Sequence, residues 1–162
     1  MSMHTIVALV EDKPGVLNKI ASKWRQRGFN IESLVVSPAA EGRFSRMTIT
    51  CSGAPEDLEQ IIKQLHKLVD VVHAIDHTGD SSYEVEIALV KLDCALDQRT
   101  QILQIAEHYA ARVVDYGSDS LMLQAHGSSE KLDAFINLLR PFELTDLVRS
   151  GKILMARGKR VT

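Results

Sequence analysis

The feature that most constrains this chain is a change of hydrophobic period. It switches between two and about 3.6 in the order strand, helix, strand, strand, helix, strand, and that order then runs a second time. Thr5 to Val10 is a short β-type run, and Pro14-Gly15 turns out of it. Val16, Leu17, Ile20, Ala21 and Trp24 recur at helical spacing with Asn18, Lys19, Ser22, Lys23 and Arg25 on the other face, and Gly28 supplies the stop. Ile31 to Ser37 is again strand-like, broken by Pro38 and Glu41-Gly42. From Arg46 to Cys51, Met47, Ile49 and Cys51 alternate with Arg46, Thr48 and Thr50, which predicts a half-buried strand. Pro55 opens a second helix with Glu56 and Asp57 in the first turn, where the helix dipole favours acids, and a stripe of Leu58, Ile61, Ile62, Leu65 and Leu68. Val69 to Ile75 closes the unit as a strand.

The polar stretch Asp76 to Ser82 marks a domain boundary, giving domains 1–78 and 79–162. Beyond it, Tyr83, Val85, Ile87 and Leu89 alternate with Glu84 and Glu86. A helix carries Ile102, Ile105, Ala106 and Tyr109, and strands at Arg112 to Tyr116 and Ser120 to His126 flank the turn Gly117-Ser118-Asp119. Leu132, Phe135, Ile136 and Leu139 form the fourth helical stripe, Pro141 ends it, and Phe142 to Arg149 returns as the last strand. The expected fold class is α+β: two tandem ferredoxin-like βαββαβ units, each with two helices on one side of a four-stranded antiparallel sheet whose second strand lies at an edge.

At 162 residues and 45% apolar, the chain can bury a core in each half. Ile6 to Val10 is too short for a secretory core and is followed by Glu11 and Asp12, and no run approaches the ~20 apolar residues that cross a bilayer. A cytoplasmic protein is expected, with Cys51 and Cys94 unpaired. A net charge of −2 argues against a nucleic-acid or membrane-surface binder. The tail bearing Arg149, Lys152, Arg157, Lys159 and Arg160 is the local exception, open to two readings: a solvated terminus or a surface for an acidic protein partner.

Catalytic motifs are missing: there is no G-x-S-x-G, H-E-x-x-H, C-x-x-C or G-x-G-x-x-G. Ser128-Ser129-Glu130-Lys131 formally matches S-x-x-K, but at a helix start, where serine is an ordinary cap. The six histidines are scattered; His73 and His77 are four apart, a spacing that joins two ligands on a helix, but they stand where a strand runs into a turn, so all six read as solvated or structural.

One stretch has the chemistry to hold a ligand. In Glu11-Asp12-Lys13-Pro14-Gly15-Val16-Leu17 a strand ends and a helix begins, so the first helical amides lack partners and can receive a carboxylate. Asp12 is placed to cap that end, Pro14 fixes the turn, and Gly15 keeps a side chain away from the backbone. The same residues also make an ordinary strand-to-helix turn, and spacing alone does not choose between the two. At the other end of that helix, Asn30 begins the edge strand Ile31 to Val36, whose apolar edge invites pairing with another chain. Pairing there would bring Asn30 of one copy near Gly15 of the other.

Asp12-Lys13-Pro14-Gly15-Val16-Leu17 resembles the signature of an ACT domain. Arg27-Gly28-Phe29-Asn30-Ile31-Glu32-Ser33-Leu34, Ser45-Arg46-Met47-Thr48-Ile49 and Lys63 to Val71 are similar to the regulatory small subunit of acetolactate synthase. The likeness continues through Leu89-Val90-Lys91, Lys131 to Phe135, Arg149-Ser150-Gly151 and Arg157-Gly158, and so spans essentially the whole chain. It departs at Val85, where the family often has Arg, and at Tyr109-Ala110-Ala111, where Phe-Arg-Gly is common. The resemblance implies a non-catalytic subunit of branched-chain amino-acid biosynthesis that forms a homodimer through its ACT domain and activates a large catalytic subunit. It implies feedback inhibition by valine, with effector contacts at Asp12, Gly15, Val16, Leu17, Asn30 and Ile31. Asp12 stands where the family carries Asn or Asp, and a carboxylate there repels the effector's own carboxylate while attracting its ammonium. Thiamine diphosphate, magnesium and FAD are expected in the catalytic partner and none in this chain. The alternative is an ACT-type amino-acid sensor serving another enzyme.

Overall fold

Alternation along Ile6, Ala8 and Val10 gives strand β1 (Ser2–Glu11) one face that must be buried, and two amphipathic helices supply the cover. The computed structural model describes residues 2–162. In the first unit β1 is followed by α1 (Val16–Gln26), β2 (Ile31–Pro38), β3 (Phe44–Gly53), α2 (Pro55–His66) and β4 (Val71–Asp76), and the antiparallel sheet has the order β2-β3-β1-β4. Strand β2 is at the edge, as its place in the motif predicts. The core joins Val16, Ile20 and Trp24 of α1 and Leu58, Ile61 and Leu65 of α2 to Met47, Ile49 and Cys51 of β3.

The second unit repeats the order with β5 (Ser82–Asp93), α3 (Leu96–His108), β6 (Arg112–Tyr116), β7 (Ser120–Gly127), α4 (Ser129–Leu139) and β8 (Glu143–Arg149), in a sheet ordered β6-β7-β5-β8. Its core is Ala88, Val90 and Leu92 of β5 with Ile102 and Ala106 of α3 and Leu132, Phe135, Ile136 and Leu139 of α4. Ser128 caps α4, its Oγ accepting from the Lys131 amide at 3.2 Å, so the S-x-x-K match is a helix start.

Three expectations are corrected. The compact units are not 1–78 and 79–162: the first runs through Tyr83 and takes in Lys152–Thr162, and the second is Glu84–Gly151. That returning segment contains a strand the sequence did not suggest, β9 (Ile153–Ala156), with Leu154 and Ala156 buried. It explains the second correction, which concerns β3. Thr48 and Thr50 are buried as well as Met47, Ile49 and Cys51, so β3 is covered on both faces. On the face away from the helices, Arg46 donates from Nη2 to the Leu154 carbonyl, and Lys152 Nζ reaches Thr5 Oγ1 at 3.5 Å. Burial without a carboxylate partner lowers the Arg46 pKa below its ordinary value.

The third correction is the phase of β5. Ile87 and Leu89 point outward, 46% and 38% exposed, and Glu86 lies on the buried face with Ala88, Val90 and Leu92. Residues 87–90 are apolar at both parities, so alternation could not decide which face is core. Glu86 tolerates burial because Arg149 Nε and Ser129 Oγ each donate to its carboxylate at 2.7 Å. Burial pushes the Glu86 carboxyl up, but those two hydrogen bonds outweigh it and hold the pKa below the ordinary 4.5.

Candidate functional site

The connection from β1 to α1 is short, and its geometry follows from two residues. Gly15 is the N-cap of α1 with a left-handed backbone, φ 85°, which a glycine adopts without a Cβ penalty. A Cβ built there would meet nothing within 4 Å, so the space over the helix start is open. No side chain caps α1, and its first turn holds no acidic residue. Asp12 therefore does not act as the expected cap. It sits three residues before Gly15 and is tied sideways instead, its amide donating to the Arg43 carbonyl at 3.1 Å. The Val16 amide makes a long 3.4 Å bond to the Lys13 carbonyl, and the next amides of the turn carry the usual unmet donors of a helix start. What remains is a positive helix end with no internal competitor for an anion.

The nearby lysines are already engaged. Lys19 Nζ lies 2.8 Å from Asp70, Lys13 pairs with Glu11 and stands 4.0 Å from Asp70, and the Glu11 amide donates to the Asp70 carbonyl at 2.8 Å. The hydrogen bond from Lys19 is the main reason the Asp70 carboxyl titrates below its ordinary 3.8. This network ties the start of α1 to the segment entering β4 and fixes the direction of the helix axis at its open end.

The six sequence-predicted site residues fall into separate places. Asp12 is exposed and lines a cleft with Glu11, Lys13, Gly42, Arg43 and Phe44. Gly15 is exposed, and Leu17 is 44% exposed on the outer side of α1. Val16 has its side chain in the core, 4% exposed, so only its backbone can face a ligand. Asn30 and Ile31 lie at the far end of α1 in a second cleft, with Trp24, Arg25, Gly28 and Phe29. The two clefts share no lining residue.

Arg43, Phe44, Trp24 and Phe29 line these clefts but are not among the site residues expected from the sequence. Arg43 and Phe44 could have been, because an antiparallel β3 beside β1 must bring the start of one to the end of the other, and Glu11 pairs with Phe44. Among the described residues, no three or more His, Cys, Asp or Glu side chains converge as metal ligands, and no helix is long and apolar enough to cross a membrane.

A βαββαβ unit with a glycine-opened helix start and an exposed edge strand defines the class, an ACT domain, here followed by a second unit of the same order. Residues 6–73 match the model described as the AHAS small subunit-like ACT domain, and residues 85–158 match the small subunit of acetolactate synthase. The chain is 41% identical over 157 residues to a probable acetolactate synthase small subunit of Archaeoglobus fulgidus, covering 97% of this chain and 98% of that one. It is 40% identical to the acetolactate synthase small subunit of Mycobacterium leprae, covering 97% and 93%. The crystal structure of the acetolactate synthase small subunit from Thermotoga maritima superposes with a TM-score of 0.89 at 31% identity, over 99% of this chain and all of that one. The chain belongs to the acetolactate synthase small-subunit family.

Proposed function

We propose that this chain is a non-catalytic regulatory subunit that docks on the large catalytic subunit of acetolactate synthase, raises its activity, and transmits valine binding as feedback inhibition of branched-chain amino-acid synthesis in the cytoplasm. The observation that carries the proposal is the match of both units, in order, to the two modules of the small subunit. Thiamine diphosphate, magnesium and FAD belong to the catalytic partner, and this chain contributes regulation alone.

The effector site is completed by two copies paired along their β2 edges. The amides after Gly15 receive the effector's carboxylate, and Asn30 of the second copy and Asp12 address its ammonium. Leu17 and Ile31 flank the side chain. Val16 acts through its backbone. Burying an isopropyl group contributes roughly 1.5–3 kcal/mol. Regulation further requires that valine bind one state of the complex better than another, and about 1.4 kcal/mol of such difference is a tenfold shift.

The test is to add purified chain to the catalytic subunit and follow pyruvate condensation with and without valine. An increased rate and a new valine inhibition are expected. Unchanged rate and unchanged valine response overturn the proposal, and a thermal shift largest with an aromatic or sulfur amino acid reassigns the chain to another enzyme.

A further inference from the structure

Glu86 and Arg99 are the buried acidic and basic side chains of the second unit, and only the first is satisfied. Glu86 accepts from both Arg149 and Ser129. Arg99 is 3% exposed, and among the described residues no carboxylate pairs with it. Its Nη2 donates to the Gly117 carbonyl, while Nε and Nη1 are buried with no hydrogen-bond partner. A guanidinium has five N–H donors, and a buried cation left this short of acceptors is costly.

This happens at the start of a helix. Arg99 is the fourth residue of α3, and helical side chains lean toward the N-terminus, so its guanidinium lies back beside the first turn. No side chain caps α3, whose first amides have no acceptor within the helix. Asp97, the acid of that turn, is exposed and makes no ion pair with Arg99 among the described residues. The hairpin is held against this end at two points, by the Cys94 amide donating to the Asp119 carbonyl at 2.9 Å and by Arg99 itself. Over the guanidinium lies the ring of Tyr116, its centre 4.5 Å from Cζ. That ring belongs to the edge strand β6 and is 62% exposed, so it can turn outward without disturbing the core.

We infer that the buried Arg99 guanidinium and the uncapped start of α3 form a binding site for the carboxylate of a small molecule, with the Tyr116 ring as its cover. The ligand's chemistry follows from the donors. Every unmet group is an N–H beside a positive helix end, so the ligand must be an anion rich in acceptors. A carboxylate is planar, matches the guanidinium fork, and balances one positive charge with one negative charge. A phosphate dianion brings more charge than Arg99 neutralises and is repelled by Asp97. Burial of Nε and Nη1 sets the size, because a ligand must pass beneath the ring to reach them. The site is complete within one protomer.

The test is NMR on the full-length chain labelled in its arginine side chains, with acetate replacing chloride at fixed ionic strength. The Arg99 Nε–H signal, assigned through its own backbone, should shift with acetate and saturate while the other arginine signals move little. The response should persist in Gly15→Asp, whose first-unit helix start is blocked. Arg99→Lys keeps the charge but loses the fork, and its melting temperature should need about tenfold more acetate for the same rise. Tyr116→Leu, a change at an exposed position, should let benzoate compete with acetate, whereas the wild type excludes it. A shift that does not saturate, or that all the arginines share, overturns the inference, as does its loss in Gly15→Asp or an unchanged acetate response in Arg99→Lys. Equal benzoate competition in wild type and Tyr116→Leu overturns the role of the ring. Neither an effector nor a second copy enters this site, so its failure and a failure of valine feedback are separate results.

Discussion

If the effector lies between Gly15 of one copy and Asn30 of another, two inactive variants should restore each other. Gly15→Asp places a carboxylate beside the open amides of α1, where it repels and displaces the effector's own carboxylate. The left-handed backbone at φ 85° strains most side chains by about 1–2 kcal/mol, but Asp is among the residues that adopt it most readily. No atom stands within 4 Å of the new Cβ, so packing adds no further cost. Against a total stability of about 5–15 kcal/mol the variant stays folded. Its loss of charge-assisted hydrogen bonds, about 1.5–3 kcal/mol, weakens binding roughly 10- to 150-fold. Asn30→Ala removes the other half of the site from an exposed position at no packing cost. A homodimer of either variant has both sites damaged. In a heterodimer one site carries both lesions and the other carries neither. After equal mixing and exchange, about half the dimers are mixed and about a quarter of all sites are intact. Titration calorimetry reads the stoichiometry, and the chain's single tryptophan, Trp24, lines the Asn30 cleft and reports the same event by fluorescence. If mass spectrometry finds the heterodimers and no wild-type-affinity sites return, the ligand is held within one protomer and the two-copy geometry is wrong.

Three further outcomes test the fold around the site. Leu154→Ala should cost about 2–4 kcal/mol in urea unfolding, as for a buried leucine, and a loss under about 0.5 kcal/mol would mean that Lys152–Thr162 does not cover β3. Gly53→Ala puts a Cβ 2.5 Å from Leu58 Cδ2 and should cost about 1–3 kcal/mol by overpacking, measured by the same denaturation. Glu86→Gln should cost about 1–3 kcal/mol near pH 7, discounted because Arg149 is partly exposed to solvent. Since the folded-state pKa of Glu86 is depressed, its contribution is present above the ordinary 4.5 and lost as pH falls through the lower folded value, so the gap between variant and wild type must shrink on acidification. A gap that widens refutes the assigned role.

Most elements were legible because their signals are local. The stripes of α1, α2 and α4, the Gly28 stop and the edge position of β2 need only helical spacing, a breaker and the order of elements. Failures occurred where the answer depends on a distant partner. β3 looked half-buried until a segment about a hundred residues later in the chain covered its second face through Leu154. The phase of β5 depended on Arg149, sixty-three positions from Glu86, making a buried carboxylate tolerable. Asp12 satisfies the composition rule for a cap, but its amide is committed to Arg43, a contact set by the β1–β3 register and invisible to local spacing.

The two units build the start of their first helix differently. In both, the residue after the first strand is tied to the hairpin opposite: Asp12 to the Arg43 carbonyl, and Cys94 to the Asp119 carbonyl at 2.9 Å. From there the paths diverge. In the first unit Lys13, Pro14 and left-handed Gly15 intervene before the helix, swinging the amides of α1 clear of the hairpin. In the second only Ala95 intervenes, with an ordinary extended backbone, and α3 begins directly against the turn. Arg99, 3% exposed, then reaches from the first turns of α3 to the Gly117 carbonyl and stacks on Tyr116 at 4.5 Å, fastening the hairpin to α3. The same topology therefore gives two helix starts of different build, one reached through a longer turn closed by a glycine and one whose hairpin is held by a buried arginine.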